Sequence, residues 1–339
     1  MGISIIVPVY NEKDNIRVFL NNLLPQTTRK KHEIIIVNDG STDNTMNIIS
    51  RIQRKFNNVD IKIIDRKKNM GRAFSRLEGT KNARYNRLLF IDAKCIPDKN
   101  LIKELEKIKY QPVVGNALTE TKDNKIAKFF DTLREEIYKP YFGENFDDIF
   151  ITNENFNKIS KGTGIFFCNK NLWLNSQINN FNNKDCSDDT KIFRSIVKKK
   201  KILKTSRLKV RYIPRKGLIS NIKHIFQRGP KFSDYYLRKD SGFYKYYLFA
   251  LSCLGIFIIL SLSFIEYALK IFVFLYFCIV STILLKFCKK KINSLYFILF
   301  ANIFFIAFFI GLLKTKFFDL VVMIFSSFIV FLIIRGVFF

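Results

Sequence analysis

Short apolar runs alternate with helical patterns over the first hundred residues of the chain. The runs are rich in Ile, Val and Leu and stop at polar turns, which is typical of strands buried on both faces. They cover residues 3–7, 33–37, 61–64 and 87–91. Between and after them, apolar residues recur three and four positions apart, which predicts amphipathic helices. This alternation predicts an α/β fold with a doubly wound, mostly parallel sheet.

The next part of the chain is less regular. Residues 113–118 and 164–168 are predicted strands, and the Asn-rich stretch 153–183 is expected to form loops around a short helix. A further helix is expected from near Asp189, and the basic run 198–201 follows it.

The chain changes character near residue 246, after which charged residues become sparse. Residues 215–245 mix Lys and Arg with aromatic and aliphatic residues, as do helices that lie in a membrane interface; ordinary amphipathic surface helices are the alternative. Four apolar stretches follow, each close to the roughly 20 residues that a helix needs to span a bilayer; they are 246–265, 267–288, 292–313 and 317–337. Two long re-entrant hairpins remain an alternative for this tail. The predicted parts are a domain over 1–214, interfacial amphipathic helices over 215–245, and an all-α transmembrane region of about four helices over 246–339.

The formal net charge of +29 indicates an anionic partner. No helix-turn-helix, zinc-finger or RNA-binding signature is present, so nucleic acid is not the expected partner. An anionic cytoplasmic leaflet attracts the same charge when membrane helices follow. The six cysteines have no metal-ligand spacing, and no signal peptide precedes the first strand. We therefore expect a multi-pass protein of the cell membrane with its first domain on the cytoplasmic side.

Polar clusters follow each of the first four predicted strands. They occupy residues 8–12, 38–43, 65–66 and 92–94. The carboxyl ends of parallel strands meet at one edge of the sheet, which is where open α/β sheets bind their ligands. The pattern predicts one ligand site that contains several carboxylates.

Five short motifs occur in order over about the first 230 residues. They are Val7-Pro8-Val9-Tyr10-Asn11-Glu12, Val37-Asn38-Asp39-Gly40-Ser41-Thr42-Asp43, Asn69-Met70-Gly71 with Arg72 and Arg76, Phe90-Ile91-Asp92-Ala93, and Ser187-Asp188-Asp189-Thr190. Together they closely resemble glycosyltransferase family 2. The resemblance implies the GT-A (Rossmann-like) fold and an inverting transferase that uses a nucleotide sugar.

The first two motifs indicate where the nucleoside would bind. Asp39, on the turn after the second strand, is able to accept a hydrogen bond from a base N–H, and the resemblance implies that role. The backbone of Pro8 and Tyr10 is expected to flank the nucleoside, with Glu12 near the ribose. The alternative for Asp39 is helix capping, which is common for Asp before a helix.

Arg72 and Arg76 lie one helical turn apart on one face. That face begins after Gly71 at a helix N-terminus, which is a natural diphosphate site. A solvated basic face is the alternative. Arg228 is a further candidate to reach the leaving diphosphate, and an anchor in the membrane interface is equally consistent with its position.

Asp92 matches the first acid of the family's Asp-x-Asp motif, which implies a Mg²⁺ or Mn²⁺ ion on the diphosphate. The third position of the motif holds Lys94 instead of an acid. Two accounts are open. Asp92 holds the metal alone with phosphates and waters while Lys94 points away, or the Lys94 ammonium neutralises the diphosphate and reduces the need for metal.

Asp189 is the predicted catalytic base, and Asp188 is the neighbouring candidate. The resemblance implies that this carboxylate takes the proton of the acceptor hydroxyl as it attacks the anomeric carbon. The alternative is a pair of acids that complements the dipole of the following helix.

Three functions remain open. The leading one is transfer of a single sugar from a UDP- or GDP-type donor to a membrane-associated acceptor such as a lipid-linked glycan. One alternative is a polyprenyl-phosphate (dolichyl-phosphate-type) glycosyltransferase, whose ionised acceptor needs no protein base. The other is a non-catalytic subunit that binds or translocates sugar nucleotides, which only Lys94 supports. Gln227-Arg228-Gly229 lacks the Gln-x-x-Arg-Trp of processive polysaccharide synthases, which weakens a processive reading.

Overall fold

The computed structural model describes most of the first two-thirds of the chain and a few residues beyond. The described residues are 2–28, 31–177, 188–237, 244, 248, 299, 300, 302–304, 306, 307, 310 and 311. They divide into two compact units between Arg215 and Lys216.

The first unit is an α/β domain. Its strands are β1 Ile3–Val9, β2 His32–Asp39, β3 Ile61–Arg66, β4 Arg87–Ile91, β5 Cys95–Pro97, β6 Val113–Thr119, β7 Ile149–Ile151, β8 Ile165–Asn169 and β9 Ile202–Tyr212. Its helices are α1 Ile16–Leu23, α2 Thr45–Lys55, α3 Arg72–Lys81, α4 Leu101–Lys107, α5 Lys125–Tyr138, α6 Lys170–Leu174 and α7 Asp188–Lys199, with a short 3₁₀ helix at Leu24–Gln26.

The described strands form one mixed sheet in the order β3-β2-β1-β4-β8-β6-β9-β5, and β7 pairs with β9. The four strands β3, β2, β1 and β4 are parallel. The prediction of a mostly parallel sheet is correct for this part, whereas the rest is mixed: β8 runs antiparallel to both β4 and β6, β6 and β9 pair in parallel, and β5 and β7 run antiparallel to β9. A parallel connection needs a crossover of a dozen or more residues, usually a helix. Helices α1, α2 and α3 supply the crossovers in the first part, whereas β5 follows β4 after a short turn.

Helices cover the parallel strands closely. The apolar face predicted for α1 is buried, and strand β2 is buried along its whole length. Helix α3 approaches β1 where Gly79 lies over Ile6, since a Cβ atom at Gly79 would come 2.5 Å from Ile6 Cγ2. This contact sets the depth of α3 against the sheet and therefore the position of Arg72 and Arg76 at its start.

The second unit contains helices α8 Leu218–Phe226 and α9 Arg228–Tyr236, both within the segment predicted to be interfacial. Within the described ranges, no helix is long and apolar enough to cross a membrane. The four predicted spans lie almost wholly outside the described residues and stay a prediction.

Strand β9 and helix α5 were not predicted. The pattern of β9 is obscured by basic residues, one of which is fully enclosed: Lys204 is 3% exposed. Its Nζ donates to the carbonyl oxygen of Gly115 at 2.7 Å and lies 5.4 Å from the ring centre of Phe146. Burial lowers the pKa of Lys204 to about 7.

This buried lysine predicts a pH-dependent stability. Between pH 7 and the ordinary lysine pKa of 10.5, the unfolded chain binds a proton that the folded chain does not, so stability rises with pH. The contribution of Lys204 is at most about 1.4 kcal/mol per pH unit. We expect Lys204→Met to remove this rise, measured as the denaturant midpoint from pH 6.5 to 9. Lys209→Met, a more exposed lysine on the same strand, is the control, and equal slopes for both variants and the parent would contradict the assignment.

Candidate active site

The loops that follow β1 and β2 are joined by hydrogen bonds. Asn11 Oδ1 accepts from the N–H of Thr42 at 2.8 Å, and the N–H of Asn11 donates to Ser41 Oγ at 3.0 Å. The N–H of Glu12 donates to Thr45 Oγ1 at 2.8 Å. The two loops predicted to hold the nucleoside are therefore adjacent. Pro8 is half-buried near the end of β1, and Tyr10 is exposed at the start of the loop that follows.

Asp39 anchors the start of α3. Its Oδ1 accepts from the N–H of Met70 at 2.8 Å, and its Oδ2 accepts from the N–H of Gly71 at 2.7 Å. Arg66 pairs with the same carboxylate at 3.2 Å. The capping alternative would have Asp39 bind the helix that follows it, α2; the carboxylate instead accepts from the N–H groups of the two residues immediately before α3. Its predicted contact with a base N–H stays a prediction.

The turn after Asp39 requires glycine. Gly40 has φ 74°, and a Cβ atom there would lie 2.9 Å from the backbone of both Lys68 and Asn69. Together with Asp39, this contact brings residues 68–71 against the end of β2.

Arg76 brings two of the predicted carboxylates together. It is 1% exposed; its Nη2 donates to Asp92 Oδ1 at 2.9 Å and its Nη1 to Asp189 Oδ1 at 3.2 Å. Arg72 is half-exposed and its Nη2 lies 3.7 Å from Asp189 Oδ1. The two arginines therefore share one helix face as predicted, but Arg76 is enclosed and Arg72 is the more accessible of the pair.

The N–H groups of Met70 and Gly71, the two residues immediately before α3, donate to Asp39. The amides that a helix N-terminus offers to an anion are those of its first turn, which begins at Arg72. The predicted contact of this helix start, Arg72 and Arg76 with a diphosphate stays a prediction.

Asp189 has a third partner, which was not predicted from the sequence. The hydroxyl of Thr163, itself buried, donates to Asp189 Oδ2 at 2.9 Å. The sequence feature that could have indicated this partner is the Gly162-Thr163-Gly164 segment, whose central residue carries the hydroxyl. Asp188 precedes Asp189 at the start of α7. Arg228 begins α9 in the second unit, and its predicted role stays a prediction.

Lys94 pairs with Glu12. Its Nζ lies 3.4 Å from Glu12 Oε1, and Asn15 Nδ2 donates to Glu12 Oε2 at 2.7 Å. Burial raises the pKa of Glu12, and the Lys94 ammonium partly offsets this effect. Lys94 is therefore neither free in solvent nor directed away from the site, because it pairs with Glu12, which is itself a predicted site residue.

Asp92 is the carboxylate that matches the metal-binding position of the motif. Its Oδ1 accepts a hydrogen bond from Arg76, and its side chain remains 34% exposed. No group of three His, Cys, Asp or Glu residues able to hold a metal occurs among the described residues. Mg²⁺ commonly binds through one or two carboxylates together with substrate phosphates. The donor set fits an ion that arrives with a diphosphate and does not form a complete protein site.

Residues 4–172 match the profile of Glycosyl transferase family 2. This part of the chain belongs to that family. The family 2 domain is 36% identical over 132 residues to the poly-beta-1,6-N-acetyl-D-glucosamine synthase of Staphylococcus aureus strain MSSA476, a match that covers 38% of this chain and 31% of that protein. The enzyme of the same name from Staphylococcus epidermidis is 34% identical over 132 residues, with the same coverage. The matched segment thus spans less than a third of these relatives.

Solved structures of other proteins align with this chain to different extents. The mannosyltransferase PcManGT from Pyrobaculum calidifontis, in complex with GDP-Man and Mn²⁺, aligns with a TM-score of 0.59 at 17% identity over 93% of this chain and 87% of that chain. TarS residues 1–349 from Staphylococcus aureus, in complex with UDP-GlcNAc, align with a TM-score of 0.49 at 18% identity over 64% of this chain and 60% of that chain. The PcManGT alignment confirms the GT-A-like α/β fold.

The position of Asp39 predicts a stability effect. Asp39→Asn places an amide N–H₂ where a carboxylate oxygen accepts from Met70 or Gly71, and it removes the partner charge of Arg66. We expect the free energy of unfolding to fall by about 1–3 kcal/mol, measured by denaturant titration. Asp60→Asn, which breaks an exposed pair with Arg84 at the other end of β3, should change it by less than about 1 kcal/mol. Equal stability of the Asp39 variant and the parent would exclude the anchoring role.

Proposed function

We propose that the chain is an inverting glycosyltransferase that moves a single sugar from a UDP- or GDP-type nucleotide sugar to a membrane-associated, lipid-linked glycan acceptor. The observation that carries the proposal is the Arg76 bridge, which places the predicted base Asp189 beside the predicted diphosphate-side residue Asp92. Membership of family 2 supports the same reaction class.

Asp189 acts as the general base. Its Oδ1 faces Arg76 and Arg72, and its Oδ2 accepts from Thr163, so the carboxylate is held from both sides. The carboxylate takes the proton of the acceptor hydroxyl while the hydroxyl oxygen forms a bond to the anomeric carbon. The bond from that carbon to the diphosphate oxygen breaks in the same step, and the configuration inverts.

Cationic side chains receive the leaving diphosphate. Arg72 is 49% exposed beside Asp189, and Lys94 lies beside Glu12 on the Asp92 side. Asp92 would hold a Mg²⁺ or Mn²⁺ ion on the diphosphate, and that ion would neutralise charge on the leaving group. Arg76 is enclosed, so its part is to fix Asp92 and Asp189 relative to each other.

The named relatives suggest the first sugar to test. Both are synthases of an N-acetyl-D-glucosamine polymer. We therefore place UDP-linked N-acetylglucosamine first in a donor screen, with GDP-linked sugars beside it. Single transfer is preferred to polymerisation because Gln227-Arg228-Gly229 lacks the Gln-x-x-Arg-Trp motif.

The membrane part of the proposal rests on charge and hydropathy. The net charge of +29 and the apolar tail support an anchor in the cell membrane with the family 2 domain on its cytoplasmic side. Such an anchor raises the local concentration of a lipid acceptor near the domain.

The base assignment is tested by Asp189→Asn. Loss of general-base help should lower the rate of transfer about 10²–10⁴-fold, with donor affinity nearly unchanged, in a transfer assay on membranes. Asp60→Asn is the matched control and should keep parent activity. A fully active Asp189→Asn variant would exclude the base role, whereas activity of Asp189→Ala on a polyprenyl phosphate would favour the polyprenyl-phosphate alternative.

The metal assignment is tested by Mn²⁺ binding. Because Asp92 is a single carboxylate, the protein should bind Mn²⁺ weakly alone and more tightly with UDP or GDP, as measured by calorimetry. Lys94→Asp restores the Asp-x-Asp pattern and should increase Mn²⁺ affinity about 10-fold or more without nucleotide. Lys99→Asp, at an exposed turn, is the charge-reversal control. Equal Mn²⁺ affinity of Lys94→Asp and Lys99→Asp would show that Lys94 does not occupy the metal position.

A further inference from the structure

Phe156 lies between two cations. Lys161 Nζ is 3.9 Å from the centre of the Phe156 ring, and Arg194 Cζ is 4.1 Å from the same centre. The ring itself is fully buried. Cations over an aromatic face are attracted by its quadrupole, and the attraction is stronger where water is excluded.

Each cation is also tied to the backbone of the loop that carries Phe156. Lys161 Nζ donates to the carbonyl oxygens of Phe156 and, at 3.1 Å, of Ile159. Arg194 Nη1 donates to the carbonyl oxygen of Asn153 at 3.2 Å. Burial and the nearby Arg194 lower the pKa of Lys161 to about 8, in line with two cations enclosed on one ring.

The two cations belong to the two segments that hold the predicted base. Lys161 directly precedes the Gly162-Thr163-Gly164 segment, and Thr163 donates to Asp189. Arg194 lies on α7, the helix that begins beside Asp189. The contacts therefore close a ring: Asp189 to Thr163, along the chain to Lys161, across Phe156 to Arg194, and back along α7.

We propose that Phe156, Lys161 and Arg194 form a clamp that positions Asp189 against Thr163. These three are positioning residues, since none contacts the reacting atoms in the proposed reaction. The Thr163 hydroxyl on Asp189 joins the Thr163 segment to the start of α7, and Phe166 packs on Phe193 further along that helix, with ring centres 4.8 Å apart. The clamp adds a link between the same two segments. A displacement of about 1 Å at a reacting group is enough to lower a rate about 10²-fold.

The inference rests on the proposed function for its kinetic test. We expect Arg194→Gln to lower the turnover number about 10-fold or more, with the donor KM changed less than about twofold, because donor contacts are untouched. Arg194→Lys retains a cation and should recover part of the loss. Lys198→Gln, an exposed lysine on the same helix, is the control for loss of charge on α7 and should keep parent activity.

The Asp189→Asn background separates positioning from general damage. If the clamp acts by positioning the Asp189 carboxylate, it has no base to position in the Asp189→Asn variant. Adding Arg194→Gln to that variant should therefore lower the turnover number less than about twofold. The same fold-loss in both backgrounds would overturn the inference while leaving the proposed function in place.

Hydrogen exchange tests the clamp without any enzyme assay. Arg194→Gln and Lys161→Met should both speed amide exchange in peptides that cover 162–166 and 189–195, while exchange in β1 and β2 stays at the parent rate. Unchanged exchange in both peptides would overturn the clamp even if every donor proves inactive, and faster exchange in β1 and β2 would assign the residues to general stability.

Discussion

A buried guanidinium between two carboxylates organises this domain. Arg76 joins the end of β4, through Asp92, to the start of α7, through Asp189, while its own backbone lies on α3 against the sheet. Arg76 itself is buried, so loss of both carboxylates would leave its charge without a protein partner, which is costly inside a protein. Full pairing of the guanidinium therefore requires α3, β4 and α7 to be in place together.

The ion pairs within the site also determine which cationic side chains remain accessible to a ligand. Asp39 neutralises the start of α3, and Arg76 is already shared between two acids. Among the described residues of the site, Arg72 beside Asp189 and Lys94 beside Glu12 are cationic side chains that keep exposed surface. In the proposed function a diphosphate would meet these side chains, and its binding would exchange protein ion pairs for new ones.

The sequence predicted the four parallel strands β1 to β4 well, because each contains a short run rich in Ile, Val or Leu and helical patterns separate the first runs. It predicted Asp92, Arg76 and Asp189 as members of one site, and the structure brings them together. It did not predict β9, where buried Lys204 breaks the expected alternation, nor the antiparallel pairing of β8.

The partners within the site were harder to foresee. Long-range pairing, such as Asp39 with the amides of Met70 and Gly71, depends on how close two loops come and leaves no periodic pattern. The same holds for Thr163, a single hydroxyl between two glycines, and for Phe156 between its two cations. The residue types at the strand ends therefore indicated which side chains belong to the site. Which of these side chains contact each other depends on packing between segments that are distant in sequence.

Gly40 limits how this domain can diversify. Its φ of 74° and the backbone of Lys68 and Asn69 at 2.9 Å from a hypothetical Cβ leave no room for any side chain. A library aimed at new donor preference gains nothing from randomising this position, because each replacement would separate two loops before it altered recognition. Variation has to enter at exposed neighbours such as Tyr10, where a new side chain changes the surface and leaves the backbone path intact.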